Sequence, residues 1–155
     1  MHDGPVTEAV VFLVRHASAG DASTWDGADA DRPLDERGRE QARDIAARLP
    51  AYEPVRVVSA PPVRCVDTVA GVAEAVGVPL EIDPLFGEDD APADPERHLL
   101  EVVAPGAVVV VCSQGGVIPR ILYALTGRHE RVRKGSVWRL AFDGEALTAA
   151  ELLAD

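Results

Sequence analysis

Cysteine, methionine and aromatic residues are scarce in this chain: two Cys, one Met, and Phe, Trp and Tyr at 5% of 155 residues. Two cysteines, Cys65 and Cys112, exclude a disulfide framework. Each is set among apolar residues, so both read as buried free thiols. With so few aromatics, the 47% hydrophobic fraction must build its core from Val, Leu, Ile and Ala. Positive charge is also short: 15 Lys and Arg against 26 Asp and Glu leave a net charge of −11. A surface of that sign repels nucleic acid and anionic lipid and excludes bulk electrostatic binding to either. An anionic small substrate then requires a local cluster of arginines. No basic segment leads into an apolar run at the start, so no secretory signal is read. The longest apolar run, Gly106 to Cys112, is far too short to span a bilayer. The expectation is a soluble, cytoplasmic protein.

What is present is an alternation of β-branched runs and amphipathic stretches. The length fits a single domain, 1–155, with a polar and flexible start over 1–8. Val10 to Val14 is a central strand, continuous and apolar. Ser18 to Pro33 is a loop rich in Asp, Gly and Ala. Asp35 caps a helix to Leu49 whose apolar positions Ala42, Ile45, Ala46 and Leu49 follow helical spacing. Val55 to Val58 is a strand. Pro61 or Pro62 opens the next helix, with the stripe Cys65, Val69, Val72, Ala73 and Val76 and a stop at Gly77. A short strand, Pro79 to Ile82, precedes an acidic loop, Asp83 to Asp94. A helix from Asp94-Pro95 to Val103 follows, then the strongest strand, Ala107 to Cys112. The next helix carries Ile118, Ile121, Leu122 and Leu125. A hairpin of Gly135 to Phe142 and Ala146 to Leu152 turns at Asp143-Gly144. This alternation predicts an α/β fold of three layers: a mostly parallel sheet, helices on both faces, and an antiparallel C-terminal edge.

The chemistry-bearing residues fall at strand ends, where open α/β sheets bind ligands. Arg15-His16 ends the first strand. A histidine there can attack phosphorus if an arginine holds the phosphoryl group beside it. Arg64 lies in the first turn of a helix, near its positive end, and a guanidinium grips two phosphate oxygens at once. Ser113-Gln114-Gly115-Gly116 follows the strongest strand, and its glycines let backbone approach a ligand closely. Glu88, in the acidic loop, is a candidate proton donor to a leaving oxygen. Lys134, at the start of a strand beside Gly135-Ser136, is a candidate cation at the same site.

Together these segments resemble the histidine phosphatase superfamily, the phosphoglycerate mutase-like fold, over nearly the whole chain. Leu13-Val14-Arg15-His16-Ala17 resembles its nucleophile motif, with Ala17 where many members have glycine. Pro33-Leu34 through Gly38 to Gln41-Ala42, Val58-Ser59-Ala60-Pro61 through Arg64-Cys65 to Thr68, and Val111-Cys112-Ser113-Gln114-Gly115-Gly116 match the following segments in order. The short length resembles the small SixA-type subgroup. The resemblance implies His16 as nucleophile through a phosphohistidine intermediate. It implies Arg15 and Arg64 as phosphoryl ligands, Glu88 as general acid, and no metal or other cofactor.

One position departs from the pattern: Gln114 stands where the family usually has a second histidine. Its amide can donate a hydrogen bond but brings no formal charge. The segments 112–119 and 133–138 are similar to the histidine-phosphatase domain appended to MutT-type Nudix hydrolases that act on oxidised guanine nucleotides. That group also has glutamine there. The expected substrate is therefore a phosphorylated small molecule, a nucleotide first and an oxidised guanine nucleotide within that class. Gln114, Gly115 and Lys134 are expected to join the arginines in binding phosphate, with Lys134 supplying part of the missing charge. No Nudix helix motif is read in this chain, so the domain either stands alone or works with a separate Nudix hydrolase, and a phosphohistidine protein is the other candidate partner. Two alternatives stand beside this reading: a phosphatase of phosphohistidine proteins, and a phosphate-binding module with little turnover because of Gln114.

Overall fold

Two runs without an interior polar side chain build the centre of the sheet. In the computed structural model, which describes residues 8–154, Val11 to Val14 and Val109 to Cys112 are fully enclosed. Both faces of their strands are covered, as in a parallel sheet layered between helices. The flexible start expected for 1–8 lies, apart from Glu8, outside the described residues.

The elements in order are β1 (Ala9–Arg15), α1 (Glu36–Arg48), β2 (Arg56–Ser59), α2 (Val63–Val76), β3 (Leu80–Ile82), α3 (Pro95–Leu100), β4 (Val108–Ser113), α4 (Ile118–Thr126), β5 (Val137–Asp143) and β6 (Ala146–Ala154). The six-stranded sheet has the order β3-β2-β4-β1-β5-β6. Its first four strands are mutually parallel, β5 is antiparallel to β1, and β6 returns along β5 at the edge. From β1 to β2 to β3 the chain moves one way across the sheet, and from β3 to β4 to β5 it moves back. Right-handed crossovers put α1 and α2 together on one face and α3 on the other, where α4 packs against it.

The helix ends show why the elements stop where they do. Asp35 caps α1, its carboxylate accepting the Gly38 N–H at 2.8 Å. Gly77, at φ 75°, closes α2 in the left-handed conformation that favours glycine. Pro62 stands at the N-cap, so α2 begins one residue later at Val63. The helix expected to reach Val103 ends at Leu100, because Glu101 and Val102 bond back to carbonyls only three residues away. Ala104-Pro105-Gly106 then diverts the chain into β4. Cys65 and Cys112 are free and buried. Among the described residues no helix is long and apolar enough to cross a membrane.

Candidate active site

Between β1 and β4 the direction of crossing reverses, and such a switch point opens a crevice at the carboxyl ends of the strands. Arg15 lies beside Ser113 in the parallel ladder. The His16 N–H donates to the Ser113 carbonyl at 3.1 Å. His16 and Gln114 thus leave neighbouring strands into one crevice. On the other side of β4, Ala60 N–H bonds Cys112 O, and the chain turns through Pro61-Pro62 into α2, which delivers Arg64.

His16 is 5% exposed. Its Nδ1 lies 2.8 Å from the Ala17 carbonyl. A carbonyl can only accept, so Nδ1 carries the proton and Nε2 keeps its lone pair. Burial pushes the imidazole pKa down to about 4; the Ala17 carbonyl opposes the shift, while the positive charges of Arg64, Arg15 and Lys134 add to it. The ring is therefore neutral at pH 7. Thr68 fixes the backbone beside it: its Oγ1 accepts the Ala17 N–H at 2.9 Å and donates to the Arg64 carbonyl at 2.6 Å.

Both arginines are held by one edge. Arg15 Nη1 donates to the Val132 carbonyl at 2.6 Å. Arg64 Nη1 and Nη2 donate to the carbonyl and to Oδ2 of Asp29, each at 2.8 Å. Among the described residues, Nε of Arg15 and Nε of Arg64 are buried without any hydrogen-bond partner. Burial lowers the Arg15 pKa and the charge of Glu88 raises it. Gly115 makes room for this guanidinium, since a Cβ there would sit 2.7 Å from Arg15 Cζ.

Gln114 is 4% exposed, and its Oε1 accepts the Glu88 N–H at 2.8 Å, which leaves the amide NH2 as the donor. Glu88 is exposed at the rim, with Oε2 accepting the Gly116 N–H at 2.6 Å. The turn that carries Glu88 is tied down on both sides. Ser113 Oγ donates to Phe86 O at 2.5 Å, and His98 Nε2 pairs with Asp83 Oδ2 at 2.7 Å. Glu88 thus belongs to an ordered rim within the expected acidic loop.

Beside Arg15 a cleft of 390 Å³ is lined by Arg15, Ser18, Arg37, Gln41, Arg131, Val132, Arg133 and Lys134. All the charged side chains on it are cations, in a chain of net charge −11. Lys134 therefore sits where its charge reaches His16, without being part of the buried site. Trp25, 37% exposed, donates its indole N–H to Ala28 O at 2.9 Å and anchors its own loop.

The residues singled out in the sequence are thus gathered around one crevice, with Lys134 at its flank. Asp29 was not among them. Asp21, Asp26, Asp29 and Asp31 share one loop and look equivalent in the sequence. Thr68 was visible as a matched position, but its bond to Ala17 was not.

The crevice thus holds a neutral imidazole with its protonated side fixed, under the charge of two guanidinium groups whose buried Nε donors are unused. Comparison with known proteins supplies the family. Residues 11–98 match the histidine phosphatase superfamily (branch 1), and the chain belongs to it. It is 34% identical to an 8-oxo-(d)GTP phosphatase of Mycolicibacterium smegmatis over 96% of this chain, but spans only 49% of that relative's length. Its fold is that of the protein histidine phosphatase SixA solved with tungstate, with TM-score 0.77, 21% identity, and coverage of 94% of this chain and 96% of that one. A putative phosphohistidine phosphatase SixA from Agrobacterium tumefaciens gives TM-score 0.76 at 21% identity, covering 95% and 99%.

Proposed function

We propose that the protein is a phosphatase that works through a phosphohistidine on a phosphorylated small molecule, a nucleotide first among candidates. The observation that carries this reading is the pair of unpartnered Nε donors of Arg15 and Arg64 flanking a neutral His16. Buried donors without partners are costly unless a ligand meets them. An imidazole with a free Nε2 has no structural need of cations on both sides. Nε2 attacks phosphorus, the bond from phosphorus to the leaving oxygen breaks, and the electron pair departs with the leaving group. Water then attacks the phosphohistidine, the N–P bond breaks, and inorganic phosphate leaves. The bond from Nδ1 to Ala17 O fixes the tautomer in both steps. The Gln114 amide donates to a phosphoryl oxygen, and Glu88 is the proton donor at the rim.

The nucleotide class draws its support from the relative acting on 8-oxo-(d)GTP, which this chain matches over part of that relative's length. A cytoplasmic location belongs to the same proposal, as does work alongside a Nudix hydrolase, which draws on the resemblance of the Gln114 and Lys134 segments. One observation favours a second reading, a phosphate-binding module with little turnover. Gln114 brings no charge, and its oxygen is already spent on Glu88. Loss of one preorganised donor commonly costs roughly 10²–10³ in rate. Rapid-quench labelling with a nucleotide carrying radioactive terminal phosphate separates the two. Acid-labile label on the wild type and none on His16→Ala is the expected result. No label and no phosphate release across nucleotides, oxidised nucleotides and phosphohistidine would leave the binding module.

A further inference from the structure

The cationic cleft beside Arg15 is not needed to hold a single phosphoryl group, since His16, Arg15, Arg64 and Gln114 already surround that position. It is nevertheless built into the site. The segment 131–134 that forms one wall is pinned through its backbone. The Val132 carbonyl accepts from Arg15 Nη1 at 2.6 Å, and the Lys134 carbonyl accepts from Gln41 Nε2 at 3.2 Å. Gly135 N–H then bonds the carbonyls of both Arg15 and His16, at 3.1 and 3.0 Å. That turn requires glycine, because φ is 79° and a Cβ would sit 2.9 Å from the Gln41 side chain. Val132 is buried, while Arg131 and Lys134 are exposed and line the cleft opposite Arg37 from the first turn of α1. The chain thus spends a clamp on each side of this segment to hold a concentration of positive charge next to the histidine. The rest of the molecule is acidic, so the cleft is where the field focuses an anion.

We propose that this cleft is a polyphosphate subsite. With the terminal phosphoryl group against His16, the remaining phosphates of a phosphoanhydride lie on Arg37, Arg131 and Lys134. The proposal rests on the phosphatase reading above and names its substrate class. An alcohol leaving group draws its proton from the rim carboxylate, Glu88, whose Oε2 accepts the Gly116 N–H. A phosphate leaving group, with a second pKa of about 6, departs as an anion without one. In the balanced step the Nε2–P bond forms and the bridging P–O bond breaks. Its electron pair stays on the shortened polyphosphate, whose added negative charge falls within reach of the cleft cations. Water then releases the transferred group as orthophosphate.

The test uses inorganic tripolyphosphate and orthophosphate as probes, titrated calorimetrically at about 0.15 M salt, where long-range attraction is screened beyond roughly 8 Å. The wild type is expected to bind tripolyphosphate at least tenfold more tightly than orthophosphate. The double variant Arg37→Gln with Arg131→Gln is expected to lose that preference about tenfold. In parallel, the ratio of kcat/KM for a nucleoside triphosphate to that for p-nitrophenyl phosphate should fall by a similar factor. Equal affinity of the wild type for the two anions, or a preference that survives the double substitution, overturns the subsite. Selective tripolyphosphate binding with no turnover of any substrate would uphold the subsite and overturn the phosphatase reading.

Discussion

His16 should make the stability of this protein depend on pH in a way that one substitution removes. Its imidazole has a pKa of about 4 in the folded chain against 6.5 when unperturbed. The folded value is depressed, so between these values the unfolded chain binds more protons, and stability falls as pH falls through that window. The contribution is fully present above about pH 7 and exhausted below about pH 4. With the two values above, linkage gives a loss of about 2 kcal/mol between pH 7 and pH 5. The assay is urea unfolding of the wild type and His16→Gln at a series of pH values. The carboxylates titrate in both proteins, so the difference curve isolates the imidazole. The expected result is a wild-type curve that loses about 2 kcal/mol more than the variant over those two pH units. Parallel curves, or a His16 ring proton resonance titrating near 6.5, would refute a buried neutral imidazole. Stability is a cleaner readout than rate here, because a substrate phosphate also titrates near pH 6 and bends the acid limb of any activity profile.

Substitutions at three positions probe the supports of the site. Gly38→Ala would place a Cβ 1.8 Å from the Ser18 carbonyl oxygen. It should destabilise by about 2 kcal/mol or more in denaturant titration despite alanine's better helix propensity; a stabilised variant would show that the Ser18 turn yields freely. Asp29→Ala should lower kcat/KM about tenfold, because Arg64 Nη2 loses its Oδ2 partner while only the backbone bond to Nη1 remains to hold the guanidinium, and Asp29→Asn should restore most of it. A gain in activity on Asp29→Ala would mean instead that the carboxylate competes with substrate. Gln114→Leu strips the partner from Glu88 N–H and the donor from the crevice. It should cost about 1–3 kcal/mol in stability and roughly 10²–10³ in rate, and an unchanged rate would remove the amide from the chemistry.

The sequence by itself determined the strands, the helix caps and the family. Val11 to Val14 and Val109 to Cys112 carry no polar interruption, so only a doubly covered parallel position suits them. Asp35 and Gly77 mark helix ends through bonds made within a few residues. Arg15, His16, Arg64 and Gln114 announce themselves because each falls at or beside a strand or helix end. These signals are local: they depend on spacing, turn chemistry and hydrophobic period, and survive in a linear string. What only the tertiary structure decided is which donors remain unused and which charges converge. Arg15 meets Val132 across 117 residues of chain, and Arg64 selects Asp29 from four similar aspartates 35 residues away. Lys134 is a candidate in the sequence, but the wall it forms with Arg131 is set beside the site only where Gly135 bonds the backbone of Arg15 and His16. No local preference encodes such a meeting, because a hydrogen bond over that separation is chosen by the packing of the sheet and not by the residues beside it.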